Sequence, residues 1–185
     1  MIKFSLLIPV YNMEATLDAC LDSAEKQTLK EIEIICVDDG STDRSSEILK
    51  CHAARDPRIR LFQHFQNRST LLARKTAVEN ASGEYIMFLD PDDTLDPAAC
   101  ETAWREIKTH QADILGPESF PGKTSHGKSE GFFGDSSGHT KVFWKKKRFS
   151  SPVLNIIRNM ITACGTRFFP LLSAKRPTLF YQKFH

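Results

Sequence analysis

The sequence predicts an α/β protein whose mostly parallel sheet is flanked by helices. Short apolar runs rich in β-branched residues alternate along the chain with longer segments in which apolar residues recur at helical spacing. The strand-like runs are continuously apolar, as in KFSLLIPV (3–10), and such strands are typical of a parallel sheet that helices cover on both faces. Crossovers in such a sheet are right-handed, and ligands bind beyond the carboxyl ends of its strands.

The first 115 residues contain four strand–helix units. Leu17 and Leu21 lie one helical turn apart after the first strand, Ile48 and Leu49 mark the inner face of the second helix, and Ser82–Gly83 ends the third. The last helix leads into the short segment ADIL. In chain order the predicted strands cover residues 3–10, 32–37, 58–63 and 84–89, and the helices cover 14–28, the segment after the turn DDGSTDRS (38–45), 69–81 and 97–110.

The composition is that of an ordinary globular domain. The 185 residues are 41% hydrophobic and 26% charged, and this length suffices for one domain with a buried core. The five cysteines show no metal-ligand spacing, which favours a reducing, cytoplasmic setting. No secretory signal opens the chain, and no stretch reaches the roughly 18 uninterrupted apolar residues of a membrane span. We therefore expect a cytoplasmic protein, either free or bound peripherally at the inner face of the membrane.

Charge divides the chain into unlike parts. Residues 1–135 hold all 23 acidic residues and 15 basic ones, a net charge of −8, whereas residues 136–185 hold ten basic residues and no acidic one. Residues 116–140 contain six of the nine glycines and many serines, a composition typical of a loop. The sequence thus predicts a ligand-binding region (1–115), a Gly/Ser-rich loop (116–140) and a basic C-terminal segment (141–185).

The basic C-terminal segment lacks acidic partners of its own. It contains the run KKKR (145–148) and aromatic residues such as Trp144 and Phe168, and residues 153–164 are compatible with one amphipathic helix. We expect this segment to pack against the acidic first region or against a second copy of the chain, because a partner in the same chain is already at high effective concentration. An anionic membrane surface is the alternative partner, and nucleic acid is not the expected one.

Three carboxylates follow the fourth predicted strand. Asp90, Asp92 and Asp93 come directly after the apolar run YIMFL (85–89). The neighbouring pair Asp96–Pro97 has the form of a helix N-cap followed by proline, but a cap does not explain the carboxylates before it. Like charges at close range repel one another, so a hard cation with oxygen ligands, shared with a phosphate, is the favoured explanation.

Polar residues also follow two other predicted strands. Tyr11 and Asn12 come after the first strand, and Asp38 and Asp39 come after the second. Because the carboxyl ends of parallel strands meet at one edge of the sheet, these residues predict a binding site at that edge.

Three motifs of the chain occur together in one known family. SLLIPVYN (5–12), VDDGSTDRS (37–45) and LLARKTAVENASGEYIMFLDPDD (71–93) resemble the nucleotide-sugar-binding half of the family 2 glycosyltransferases, which have the Rossmann-like GT-A fold. Each motif alone is weakly specific, but the three stand in the family's order and approximate spacing, from residue 3 to about residue 115. The resemblance implies transfer of a sugar from a nucleotide-diphosphate sugar, expected to be a UDP-sugar, to a saccharide or lipid-linked acceptor. Polysaccharide or cell-envelope biosynthesis is the setting it implies.

The resemblance implies roles for individual residues of these motifs. Pro9 and Tyr11 match the motif that packs against the nucleotide base, and Asp39 matches the carboxylate that accepts a hydrogen bond from the base. Arg74 matches the basic residue that faces the nucleotide or its diphosphate, a task that suits a planar and permanently charged donor. Asp92 matches the contact to the ribose. Edge packing alone is the alternative explanation for Tyr11.

Other polar residues of these motifs have simpler explanations. Asp38 either contacts the ligand or orients its own turn, and the sequence leaves both explanations open. Asp43 is expected to cap the helix that follows it. Lys75 replaces an asparagine common in the family and is expected to be solvated.

The same resemblance implies a divalent metal cofactor, Mg²⁺ or Mn²⁺, that bridges the diphosphate of the donor. Asp93 matches the metal-holding position, with Asp90 and Asp92 as further candidate ligands. Such an ion neutralises the charge that develops on the departing nucleoside diphosphate.

The general base for catalysis is not identifiable from the sequence. An inverting transferase needs a carboxylate that deprotonates the acceptor hydroxyl, and the family places it in an acceptor half well after the metal motif. Six carboxylates follow Asp96, none in a recognisable family context, and none lies after Asp135. The chain is therefore either truncated or altered after about residue 115, for example by a frame change, or completed by a partner.

Two other functions compete with that of a complete transferase. The first is a donor-binding remnant that holds the nucleotide sugar with weak or no transfer activity. The second is a nucleotidyltransferase, which is disfavoured because IPVYNMEAT (8–16) has no glycine-rich phosphate loop.

Overall fold

The computed structural model describes residues 1–111, 114–115 and 143–145. Its strands are β1 (Phe4–Val10), β2 (Ile32–Asp38), β3 (Ile59–Gln63), β4 (Tyr85–Phe88), β5 (Ile114–Leu115) and β6 (Phe143–Lys145), and its helices are α1 (Leu17–Glu25), α2 (Ser45–Arg55), α3 (Thr70–Asn80) and α4 (Ala99–His110). The strand order in the sheet is β3-β2-β1-β4-β6-β5, with β1 to β4 parallel and β6 antiparallel to both of its neighbours. The predicted, mostly parallel α/β sheet is confirmed. Within the described residues, no helix combines the length and apolar character needed to cross a membrane.

The alternation of side chains along the strands divides the core into two layers. Phe4, Leu6 and Ile8 of β1 pack in a layer with α1, α2 and α4. Leu7 points the other way and packs with Ile35 of β2 and with α3. Helices thus cover both faces of the sheet, which is the physical reason why its strands are continuously apolar.

The buried carboxylate of Glu33 links neighbouring strands at the amino-terminal edge of the sheet, on the face covered by α3. Glu33 is 3% exposed and accepts hydrogen bonds from the Ser5 hydroxyl (2.6 Å), the backbone N–H groups of Ser82 (2.6 Å) and Gly83 (3.0 Å), and Arg60 (2.8 Å). Burial opposes ionisation, but the bonds from Ser5, Ser82 and Arg60 outweigh it and hold the pKa of Glu33 below its ordinary value. Any side chain at Gly83 would meet Ser5 at 2.7 Å. The network therefore fixes the start of β4 against β1 and β2.

Two helices, α1 and α4, begin two or more residues later than the sequence predicts. The helix α1 (Leu17–Glu25) is shorter at both ends than the predicted 14–28. The N-cap of α4 is Ala98, so the expectation that Asp96 caps this helix is wrong. The Asp96 carboxylate instead accepts the Ala98 N–H at 2.8 Å, a local turn that competes with the first turn of a helix.

The strand β6 lies within the basic C-terminal segment and was not predicted. Its residues pair with β4, with Lys145 opposite Tyr85 and Phe143 opposite Met87. A strand of three residues is too short to show a periodic pattern, so it forms only because β4 offers an open edge. The predicted loop at 116–140 and the predicted helix at 153–164 lie outside the described residues.

Candidate functional site

The candidate site lies at the carboxyl edge of the sheet, on the face covered by α3. Alternate residues of a strand share a face, so Pro9 and Tyr11 lie on the same side as Leu7, which packs against α3. Val37 of β2 also packs on the α3 face, and Asp39 lies two residues after it, so Asp39 is on that face as well. Pro9, Tyr11 and Asp39 line one concavity together with Val10, Thr70 and Ala73. The structure therefore brings these three sequence-predicted residues together beside the first turns of α3.

Asp39 is a buried carboxylate with fixed orientation. The residue is 1% exposed, and its Oδ1 lies 2.6 Å from Nδ1 of His64. The backbone N–H of Arg68 donates to both carboxylate oxygens, at 3.0 and 3.1 Å. Each oxygen of an ionised carboxylate has two acceptor sites, so Oδ2 retains capacity for a further donor.

His64 and Arg68 belong to this site although the sequence analysis did not select them. His64 directly follows β3, and the rule that polar residues at strand ends mark a site would have found it if applied after the predicted strand 58–63 as well. Arg68 contributes its backbone N–H, which no pattern of side chains reveals.

Gly40 allows the loops after β2 and β3 to approach each other. Its φ is +75°, and a Cβ on it would lie 2.6 Å from the carbonyl carbon of Gln66 and 2.8 Å from the nitrogen of Asn67. Only glycine combines this backbone conformation with this contact. The close approach is what carries the 64–68 loop to Asp39.

Asp38 and Asp43 serve the turn that precedes α2. Asp38 accepts the Ser41 N–H at 2.9 Å and the Gln63 amide at 3.2 Å, contacts that favour turn orientation over ligand contact. The N-cap of α2 is Arg44, one residue after the predicted cap Asp43. Asp43 still accepts the Ser45 N–H at 2.9 Å, so it stabilises the turn that leads into the helix.

Arg74 follows the lining residue Ala73 on α3 but does not itself line the concavity, and part of its hydrogen-bonding capacity is unused. The residue is 8% exposed, its Nη2 donates to Asp90 at 2.7 Å, and its guanidinium lies 5.5 Å from the centre of the Phe88 ring. Among the described residues its buried Nε has no hydrogen-bond partner. Its neighbour Lys75 is exposed, and the one ion pair it forms with the described part of the chain is to Glu79, at 3.7 Å, in accordance with the prediction that it is solvated.

The three carboxylates after β4 have different environments. Asp90 is paired with Arg74, Asp92 is exposed, and Asp93 is 3% exposed. Within the described residues these three do not form a set with all ligand atoms within 4.8 Å of one another; that geometry occurs at Asp22, Glu25 and His52. A hard cation near Asp93 would therefore take one or two carboxylates and complete its shell with phosphate and water oxygens. The residues present fit this arrangement, which is the usual one for Mg²⁺.

The cluster of Asp22, Glu25 and His52 joins α1 to α2. These residues lie in the carboxyl-terminal halves of their helices, which run opposite to the parallel strands and so end near the amino edge of the sheet. Arg55 donates to Asp22 at 2.6 Å and to Glu25 at 3.2 Å, and His52 contacts Glu25 at 2.5 Å. Arg55 supplies the positive charge that a metal ion would otherwise bring, so we interpret the cluster as a salt-bridge network.

Comparison with known proteins identifies relatives over most of the chain. The family model described as Glycosyl transferase family 2 matches residues 5–169, a range that includes much of the basic C-terminal segment. Glycosyltransferase GlyA of Streptococcus pneumoniae is 37% identical over 177 residues, which cover 93% of this chain and 23% of that relative. The chain therefore spans about a quarter of the length of this relative.

Solved structures share the fold. The S. aureus TarS fragment 1–349 in complex with UDP-GlcNAc has a TM-score of 0.60 and 29% identity, over 70% of this chain and 37% of that one. The mannosyltransferase PcManGT of Pyrobaculum calidifontis, in complex with GDP-Man and Mn²⁺, has a TM-score of 0.56 over 60% of this chain and 34% of that one. At 21% identity, the second likeness shows the fold alone.

Proposed function

The chain belongs to glycosyl transferase family 2, and on this basis we propose that it binds a UDP-sugar and donates the sugar to a saccharide or lipid-linked acceptor. The observation that carries the proposal is the concavity in which Pro9, Tyr11 and the buried Asp39 meet the first turns of α3. TarS, which is similar to this chain, has been solved with UDP as well as with UDP-GlcNAc.

The base of the donor occupies the concavity in this proposal. Tyr11 is 42% exposed, which leaves part of its ring available to pack on a planar base. Asp39 accepts the ring N–H of uracil through the unused capacity of Oδ2. Because Asp39 is buried, a base that offers no donor leaves the remaining acceptor site of Oδ2 unpaired, at a cost of about 1–3 kcal/mol.

Arg74 and the carboxylates after β4 face the diphosphate. Arg74 donates through guanidinium N–H groups that Asp90 does not use, and Asp90 keeps the guanidinium in place. In this proposal Asp90 pairs with Arg74, and Asp93 and Asp92 are the residues that would hold Mg²⁺ or Mn²⁺. Asp92 is also the expected ribose contact, and its exposure allows either role. When bound, the ion supplies positive charge beside the departing diphosphate.

We propose that the transfer inverts the anomeric configuration and that its general base comes from outside the described donor site. The acceptor hydroxyl loses its proton to this base as its oxygen bonds the anomeric carbon and the UDP oxygen departs. Glu101 and Glu106 follow the site within the described residues, but α4 packs on the opposite face of the sheet from α3. The experiment must therefore distinguish an active transferase from a donor-binding remnant.

Calorimetric titration of UDP in Mn²⁺ and in EDTA tests the donor site. We expect tighter binding with Mn²⁺, and we expect Asp93→Ala to remove most of this difference because bare carboxylates repel a diphosphate. Asp22→Ala, in the salt-bridge network between α1 and α2, is the matched control and should keep the difference. Equal UDP affinity with and without metal would contradict the metal role, and undetectable UDP binding in both conditions would contradict the donor site itself.

Release of UDP from a UDP-sugar separates the enzyme from the remnant. An active transferase should release UDP faster when a suitable acceptor is added, whereas the remnant should bind UDP without this acceptor-dependent release. Screening UDP-sugars by the same titration narrows the identity of the sugar.

A further inference from the structure

His64 connects the base-facing carboxylate to α3. Its side chain is 9% exposed, its Nδ1 lies 2.6 Å from Asp39 Oδ1, and its Nε2 lies 3.0 Å from the Thr76 hydroxyl. An ionised carboxylate can only accept a hydrogen bond, so Nδ1 carries the proton in this contact. In the neutral ring Nε2 is then the acceptor, and the Thr76 hydroxyl donates to it. The chain Thr76–His64–Asp39 therefore has a defined direction.

The remaining bonds of Asp39 leave one orientation of the carboxylate. Oδ1 accepts a hydrogen bond from His64, and both Oδ1 and Oδ2 accept the backbone N–H of Arg68. Two donors therefore contact Oδ1, whereas Oδ2 has the shared N–H of Arg68 alone among the described residues. A rotation of the carboxylate would break the short bond to His64. The base therefore meets an acceptor whose orientation is set by its neighbours.

We propose that His64 is a positioning residue that sets the selectivity of the site for uracil over cytosine. The inference rests on the proposed function, in which Asp39 contacts the base. Uracil presents a ring N–H at position 3, whereas cytosine presents a lone pair there, and the two pyrimidines have the same size. An acceptor held in a fixed orientation by His64 pairs with the first and repels the second. Without the Nδ1 donor, the Asp39 carboxylate can turn, and the distinction weakens.

The ratio of UDP affinity to CDP affinity is the quantity to measure, by calorimetry with Mn²⁺ on the whole chain. We expect the wild-type chain to prefer UDP and His64→Ala to reduce the ratio by about tenfold, the scale of one lost hydrogen bond to a buried charge. A residue that merely supports the fold would weaken both nucleotides alike and leave the ratio unchanged.

A pair of conservative variants provides the matched control. His64→Asn places an amide N–H where Nδ1 lies and should keep the ratio of UDP affinity to CDP affinity within about threefold of wild type. This change is smaller than the reduction of about tenfold expected when the hydrogen bond is removed. His64→Gln reaches the position of Nε2 and Thr76, not Asp39, and should behave as His64→Ala does. If the alanine variant does not fold, the comparison of Asn with Gln decides the question.

The outcomes separate this proposal from the proposed function. A wild-type preference for UDP that His64→Gln leaves intact would overturn the role of His64 while the donor site stands. A wild-type chain that binds neither nucleotide would overturn both. A reduced ratio in the alanine and glutamine variants, restored by asparagine, is the result that we expect.

Discussion

Ser69 adopts a backbone conformation that side chains rarely take, directly before α3. Its φ of 93° and ψ of 148° lie in a region occupied almost only by glycine, and no side-chain cap bond compensates. Relief of this strain is worth about 1–3 kcal/mol, and the extra freedom of an unfolded glycine offsets about 0.5–1 kcal/mol of it. We therefore expect Ser69→Gly to raise the free energy of unfolding by about 1 kcal/mol in urea titration.

A second serine provides the comparison for this prediction. Ser46 lies inside α2, where glycine costs about 0.5–1 kcal/mol, so Ser46→Gly should lower the free energy of unfolding. If both substitutions destabilise the chain, then Ser69 is not strained in solution.

The adjacent aspartates 38 and 39 should respond differently to substitution. Asp39→Ala removes the buried acceptor of the concavity and should weaken UDP binding by about 1–3 kcal/mol. Asp38→Ala removes bonds to Ser41 and Gln63 within the turn, and should lower stability with a smaller effect on UDP affinity. Calorimetry and urea unfolding of both variants measure the two effects. Normal UDP binding by the Asp39 variant would show that this carboxylate does not contact the base.

At the scale of the secondary-structure elements, Glu33 links β1, β2 and the start of β4. Its pKa is lowered in the folded chain, so the unfolded chain binds the proton more readily. The stability that ionised Glu33 contributes is complete above the ordinary carboxyl pKa of about 4.5 and is lost as the pH falls through the lowered value. We expect Glu33→Gln to cost about 1–3 kcal/mol near neutral pH, because an acceptor of several bonds is replaced.

The difference between wild type and Glu33→Gln should shrink as the pH falls below about 4.5, because Glu33 of the unfolded chain then takes up a proton while the folded chain stays ionised until its lowered pKa is reached. Urea unfolding from pH 7 to pH 3 measures this difference. Glu47→Gln on α2 is the control: within the residues that the structure describes, this exposed side chain pairs with the exposed Arg44, and its substitution should change stability by less than about 0.5 kcal/mol. A constant difference for Glu33→Gln across the pH range would contradict the linkage.

At the scale of the whole molecule, β6 connects the basic C-terminal segment to the acidic first region. Removing residues 136–185 deletes β6, which leaves the backbone of β4 unpaired on one side and β5 without its neighbour. We expect this truncation to unfold at lower urea concentration than the whole chain and to aggregate more readily, since an open strand edge pairs with other chains. Urea unfolding and light scattering measure the two effects.

A shorter truncation isolates the contribution of the strand. Removal of residues 146–185 keeps β6 and should leave a chain more stable than the one that ends at residue 135. UDP titration of both truncations shows whether the donor site depends on this part of the sheet. Equal stability of the two truncated chains would mean that the pairing of β6 with β4 contributes nothing measurable.

The sequence by itself determined the parallel sheet and the edge of the sheet at which the candidate site lies. Continuous apolar runs reveal strands buried on both faces, and polar residues after such runs must lie at the carboxyl edge because β1 to β4 point the same way. Pro9, Tyr11 and Asp39 were found for this reason, and the structure places them in one concavity. Periodicity is a local property, so it can be read without knowledge of the fold.

Only the tertiary structure decided which partners these residues have. His64 and the Arg68 N–H bind Asp39 from a loop some 25 residues later in the chain. Arg74 of α3 donates a hydrogen bond to Asp90, which follows β4. The strand β6 forms against an edge supplied by β4, far earlier in the chain. Contacts of this kind depend on the distances that the folded backbone sets between remote segments, and no local pattern encodes those distances.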